Sequence, residues 1–162
     1  MDAQPLDTPL WDFALAVYGS DGVADECLAL QDRLGLDVNV LLLTTYIGVV
    51  ERIPLTSADI TAANAVVAGW HGEVVRPLRA VRKALKAFGQ EALRAQVKAA
   101  ELQAEKIELA VLWQWSQTLA DRPRDGGTLA GSLAALLALH QAPDPPDAVL
   151  PRLMAAASAY RT

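Results

Sequence analysis

From Val38 to Val50 the chain offers only Asn39, Thr44 and Thr45 as polar side chains. A helix that is apolar on every side has to be enclosed by protein, so the rest of the sequence must supply a shell around it. Asp37 stands where the N-cap of that helix is needed, and Gly35 stands where the preceding helix should stop. Gln31, Asp32, Asp37 and Asn39 therefore gather at the start of the segment that must be most deeply buried. Polar groups placed there either cap the helix or serve a site.

The shell is expected to be helical. Apolar residues make up 52% of the 162, aromatics only 6%, and Ala, Leu and Val dominate while Gly and Pro fall in short clusters. That composition favours helices over many short strands. Thr8-Pro9 reads as an N-cap and N1 proline for a helix over 9–18, and Ser20 or Asp21 as the cap of a second over 22–34. The apolar segment 38–50 is the third. Thr56 with Asp59 resembles a capping box opening a fourth. The helical pattern from Ser57 runs on to Phe88, with a kink or break expected near 70–76, where Gly69, Gly72 and Pro77 interrupt it. Residues 90–119 lack Gly and Pro and read as the longest helix, and 129–142 and 146–160 as two more. The expectation is an all-α bundle of about seven helices in one domain over 1–162, with a flexible terminus at 1–8 and loops at 122–128 and 143–146.

A net charge of −5 and a pI near 4.9 argue against nucleic acid as a partner. Cys27 is the single cysteine and can form no internal disulfide, and residues 1–7 are acidic without the basic and apolar regions of a secretion signal. No 18-residue apolar run suits a membrane span. A cytoplasmic location is the expectation.

Trp11, Phe13-Ala14-Leu15 and Tyr18, then Leu30-Gln31-Asp32, Gly35, Asp37-Val38-Asn39 and Leu41-Leu42, followed by Trp70 and Val74-Val75-Arg76-Pro77-Leu78-Arg79 with Arg82, form a recognisable pattern. It resembles a proteobacterial family of small all-helical proteins of unknown function. The resemblance covers roughly residues 10–110 and implies a helical fold, without bringing an activity, cofactor or catalytic residue. From Arg122 onward no resemblance is found.

Several constellations could carry chemistry. His71 and Glu73 combine a potential general base with an acid, although side chains two apart on a helix diverge. A metal site would need further ligands at helical spacing, which the local sequence lacks, and a surface or helix-end histidine is the reading. His140 suits the C-terminal end of a helix dipole. Arg76, Arg79, Arg82 or Lys83, and Lys86 form a basic stripe opposite Leu78, Val81, Leu85 and Phe88, fit for an acidic partner. Residues 1–37 hold eight acids against Arg33, a local balance of −7, so pairing within the molecule, or plain solvation, is the competing use of that stripe. Trp113 and Trp115 read as core packing before a partner anchor. A DNA-binding helix-turn-helix is disfavoured because 38–50 presents no base-reading face. Phosphate-loop, dinucleotide, hydrolase and zinc signatures are absent, so neither a cofactor nor an enzyme class is indicated.

Two readings follow. The first is an interaction or adaptor module that engages another protein through Arg76, Arg79 and Arg82. The second is a small-molecule-binding or enzymatic bundle with Gln31, Asp32, Asp37 and Asn39, joined by Tyr46, His71 or Glu73, lining an internal cavity.

Overall fold

In the computed structural model, which describes residues 5–124 and 129–161, the apolar segment forms α3 (Val38–Tyr46), with six other helices packed against it. These are α1 (Pro9–Tyr18), α2 (Val23–Leu34), α4 (Ser57–Trp70), α6 (Glu91–Ser116), α7 (Leu129–Leu139) and α9 (Pro151–Ala159). From Asn39 to Tyr46 every residue of α3 is buried. Its internal polar groups are satisfied locally: the Thr44 and Thr45 hydroxyls donate to the Val40 and Leu41 carbonyls, each at 2.8 Å. The architecture is all-helical, as composition implies. The expected terminus at 1–8 and loop at 122–128 lie partly outside the described residues, at 1–4 and 125–128.

Capping fixes where the shell helices begin. Thr8 accepts from the Trp11 amide with Pro9 in the first turn of α1, and Thr56 and Asp59 form the expected capping box on α4. The cap foreseen for α2 is corrected. Gly22, in the left-handed region at φ 75°, holds that position without a side-chain bond, because the chain turns sharply there after α1. Gly35 ends α2 at φ 68°, donating its N–H to the Gln31 carbonyl.

Long-range ties close the shell. Phe13 of α1 meets Tyr46 edge-on at 5.4 Å and Tyr160 at 5.0 Å, and Tyr46 meets Trp113 of α6 at 5.7 Å. Trp113 and Trp115 pack against the core, the bland alternative for that pair. The Glu26 carboxylate of α2 accepts from the Arg152 and Leu153 amides at 2.9–3.0 Å, so an acid from one helix caps the N-terminus of α9. The segment expected as one helix over 146–160 is divided into α8 (Pro146–Val149) and α9, since Leu150 precedes Pro151 and leaves helical geometry.

Two stretches depart from α geometry. After α3 the backbone continues as a π turn over Ile47–Glu51, ending at Arg52 in the left-handed region. The interruption expected at 70–76 is a second π turn, His71–Val75, after which α5 (Arg76–Ala87) continues without a gap. Pro77 lies just beyond it, where a missing N–H and a ring crowding the carbonyl four residues back disfavour ordinary α bonding. Gly89 at φ 66° then reverses the chain, and α5 and α6 pack as a helical hairpin. α5 buries none of its residues, so this hairpin extends beyond the main core.

Candidate functional site

Asp37 is fixed by its capping role: Oδ1 accepts the Asn39 amide at 2.8 Å, which leaves Oδ2 directed at His71. His71 is the first residue of the π turn after α4, and its Nδ1 lies 3.0 Å from Asp37 Oδ2. The third member comes from the middle of α6. Glu108 is wholly buried, with Oε2 3.2 Å from the same imidazole nitrogen and Oε1 accepting the Asn39 side-chain amide at 2.8 Å. Asn39 thus grips one oxygen of each carboxylate, once with its backbone and once with its side chain, and the free oxygens converge on His71.

Burying two carboxylates side by side is costly unless positive charge or hydrogen bonds compensate. His71 compensates. The hydrogen bonds of Asp37 and Glu108, joined by their charges and opposed by burial, raise its pKa to about 10. For Asp37, burial pushes the carboxyl upward, but the His71 hydrogen bond and charge outweigh it and hold the group below the usual carboxylate value. Glu108 goes the other way: burial, reinforced by the neighbouring Asp37 charge, raises it to about 7 against the bonds from His71 and Asn39. The cluster can hold a proton on Nδ1 or, with that proton gone, present three ligand atoms to a cation.

Below the triad the hairpin is bolted by ion pairs. Arg79 of α5 donates Nε to Glu101 Oε1 at 3.1 Å, Nη1 to Gln31 Oε1 at 2.7 Å and Nη2 to Glu105 Oε1 at 2.8 Å. Arg82 donates Nε to Glu101 Oε2. Trp70 adds an indole N–H to the Ala104 carbonyl at 3.0 Å. Glu101, Glu105 and Glu108 stand at i, i+4 and i+7, one acidic stripe of α6 facing His71, Arg79 and Arg82.

Above the triad a cleft of about 660 Å³ opens between α2, α4 and α5, large enough for a small molecule. Gln31, Asp32, Asp37, His71, Arg76, Arg79, Lys83 and His140 contribute to its lining. Arg76 and Lys83 make no ion pair among the described residues. A second recess, of about 80 Å³ beside Ile47 and Ser116, is too small for that role.

The structure sorts the candidates read from sequence. Asp37, Asn39 and His71 come together, with Gln31 held beside them through Arg79, while Asp32 stays exposed on the rim. Glu73 is exposed and takes no part, as the divergence of side chains two apart requires. Tyr46 is also outside, donating its hydroxyl to Glu51 at 3.2 Å. Of the two places expected for His71, the helix end holds, since it is the C-cap of α4, but the surface is corrected: its side chain is only 18% exposed and contacts two acids. The further ligands absent along the chain arrive from α3 and α6, at sequence distances that no local spacing reveals. The pairing foreseen between the basic stripe and the acidic N-terminal region is corrected too. Arg79 and Arg82 find their acids on α6, the neighbour that the Gly89 turn presses against α5, and among the described residues the N-terminal region supplies only neutral Gln31.

Comparison with protein families gives one assignment. Residues 9–112 match the family model described as Protein of unknown function (DUF2390). The chain belongs to this family. The DUF2390 match takes in Asp37, Asn39, His71, Arg79, Glu101, Glu105 and Glu108, so the triad and its bolts lie within the family segment, while His140 on the cleft wall lies beyond it. No curated protein and no solved structure matches the chain. Among the described residues no helix is long and apolar enough to cross a membrane.

Proposed function

We propose that this DUF2390 protein is a small-molecule-binding helical domain whose ligand carries an anionic group. The observation that carries the reading is the cleft itself: Arg76 and Lys83 line it without an ion-pair partner among the described residues, and the Asp37-His71-Glu108 triad closes its inner end. Arg79, also in the lining, is committed to Gln31, Glu101 and Glu105 and serves the wall more than the ligand. Unpaired cations beside a polar cluster favour a phosphate- or carboxylate-bearing molecule. A thermal-shift screen of phosphorylated and carboxylated metabolites against neutral analogues tests this. Anionic members should stabilise the protein, by about 2.7 kcal/mol at a concentration 100-fold above Kd, and R76A/K83A should abolish the effect. Equal response to neutral analogues, or binding unchanged in that variant, overturns it.

A second reading, contact with another protein, has one specific support. Phe88 at the hairpin turn is 75% exposed, with Val81 and Leu93 each 49% exposed nearby in the sequence. Exposed apolar groups of this size suit a partner surface. The contact would use the apolar tip, since Arg79 and Arg82 are occupied within the hairpin. Loss of co-purifying protein in F88S, with the helical signal intact, supports it, and an unchanged set of bound proteins removes it.

A further inference from the structure

We propose that Asp37 Oδ2, His71 Nδ1 and Glu108 Oε2 form a binding site for a divalent first-row transition cation such as Mn²⁺, Fe²⁺ or Zn²⁺. This goes beyond the anionic-ligand reading, because the triad would hold the cation with the cleft otherwise empty. Three observations support it.

The first is separation. The nitrogen lies 3.0 and 3.2 Å from the two oxygens, and all three ligand atoms lie within 4.8 Å of one another. With metal–ligand bonds of about 2.0–2.2 Å, neighbouring ligand atoms in a tetrahedral or octahedral shell stand roughly 3.0–3.5 Å apart. The imidazole–carboxylate edges already match.

The second is orientation from behind. Metal-bound carboxylates are commonly held by hydrogen bonds to their remaining oxygens. Asn39 does this for both acids at once, taking Asp37 Oδ1 with its N–H and Glu108 Oε1 with its Nδ2, each at 2.8 Å. Asp37 thereby offers one oxygen, while Glu108 keeps Oε2 at 3.2 Å and the Asn39-bound Oε1 at 3.3 Å from the imidazole nitrogen. The third is access: Asp37 and His71 line the cleft while Glu108 lies beneath them, so three protein ligands face an opening that leaves further positions to water or a ligand.

One imidazole with two carboxylates is a mixed nitrogen and oxygen set. Oxygen-only selection of Mg²⁺ or Ca²⁺ is less suited to it than Mn²⁺, Fe²⁺ or Zn²⁺. Arg76 and Lys83 on the same cleft wall would then draw an anionic ligand toward the metal's open positions.

The test is metal uptake by untagged, chelator-stripped protein, dialysed against Mn²⁺ or Zn²⁺ alone and analysed by elemental mass spectrometry. One equivalent is expected for the native chain and for R76A/K83A, and at least a tenfold lower occupancy at the same free metal for H71Q and for E108Q. Helical content and thermal midpoint establish that the variants fold, and D37N supplies a third ligand variant if either fails to. Bound Mn²⁺ should also give an electron paramagnetic resonance spectrum distinct from the free aqua ion, and that signal should disappear in folded H71Q. Absence of stoichiometric uptake, uptake unchanged in the folded ligand variants, or preference for Mg²⁺ or Ca²⁺ overturns the proposal. Loss of anion binding in R76A/K83A with metal uptake retained separates the two readings.

Discussion

Asn39 donates its side-chain amide to Glu108 Oε1 across 69 residues of sequence, joining the start of the central helix to the middle of the longest one. Both groups are buried, so neither can exchange this bond for one to water. Removing the donor leaves a buried acceptor short of a partner, a loss that costs more than the bond contributes net. N39A is therefore expected to lower unfolding free energy by about 1.5–3 kcal/mol, measured by urea denaturation. N39D should be worse than N39A, since it sets a third acid against Glu108. Equal stabilities for the two variants would contradict this account.

Arg79 and Arg82 are the polar attachment of a helix with no fully buried residue. Leu78 and Leu85 of α5 are only half-buried, so its docking leans on the Arg79 bonds to Glu101, Glu105 and Gln31. Replacing both arginines by Ala should strip amide protection from α5 in hydrogen exchange while α3 and α7 keep theirs. Uniform loss across the protein would mean that the hairpin is integral to the main core.

Asp59 ties the α4 cap to Arg122 through two bonds of 2.8 and 2.6 Å. The Arg122 hydrogen bonds, outweighing burial and helped by Thr56, hold its carboxyl at about 2 against an ordinary 3.8. A lowered native value means the ionised form stabilises the fold. That contribution is complete above about pH 4 and disappears as pH falls toward about 2. The gap in urea midpoint between the native protein and D59N should be constant at neutral pH and close over that acid range.

Cys27 is fully buried, and burial, with a smaller push from the Glu26 charge, raises its thiol to about 12. Since the thiolate is the nucleophile, iodoacetamide at pH 8 should leave the folded protein unmodified and label the unfolded chain completely. Mass spectrometry of the two samples decides it. Ready labelling of the native state would show that α2 opens easily.

Much of this fold was legible because its signals are local. Thr8-Pro9, Asp37 and the Thr56/Asp59 pair announce helix starts within three residues of the groups they satisfy, and Gly35 announces a stop. The apolar run from Val40 declares its own burial. The site was half legible for the same reason: Asp37 and Asn39 stand out as polar residues on a helix that must be enclosed. Glu108 did not stand out. It sits in a helix rich in charge, and only the packing of α6 onto the π turn at His71 distinguishes it from solvated neighbours such as Gln103. The i, i+4, i+7 spacing of Glu101, Glu105 and Glu108 was the available clue, since acids in line on a helix beside another with arginines at i and i+3 can close a hairpin.

The π turn at His71–Val75 has a rotational consequence. His71 and Arg79 are eight positions apart, and at about 100° per residue a regular helix would set them about 80° out of line. A π turn absorbs one residue, which brings the pair to within about 20° of the same stripe. Relaxing this turn to α geometry at constant length would swing Arg79 and Arg82 away from their acids while His71 stayed in place. Pro77 opposes that relaxation, because a proline inside a regular helix costs about 3 kcal/mol. A single proline therefore acts as a phase lock, keeping the imidazole and the guanidinium groups in step along one acidic helix. Deleting one residue at Gly72 should preserve that alignment, whereas adding one there should destroy it.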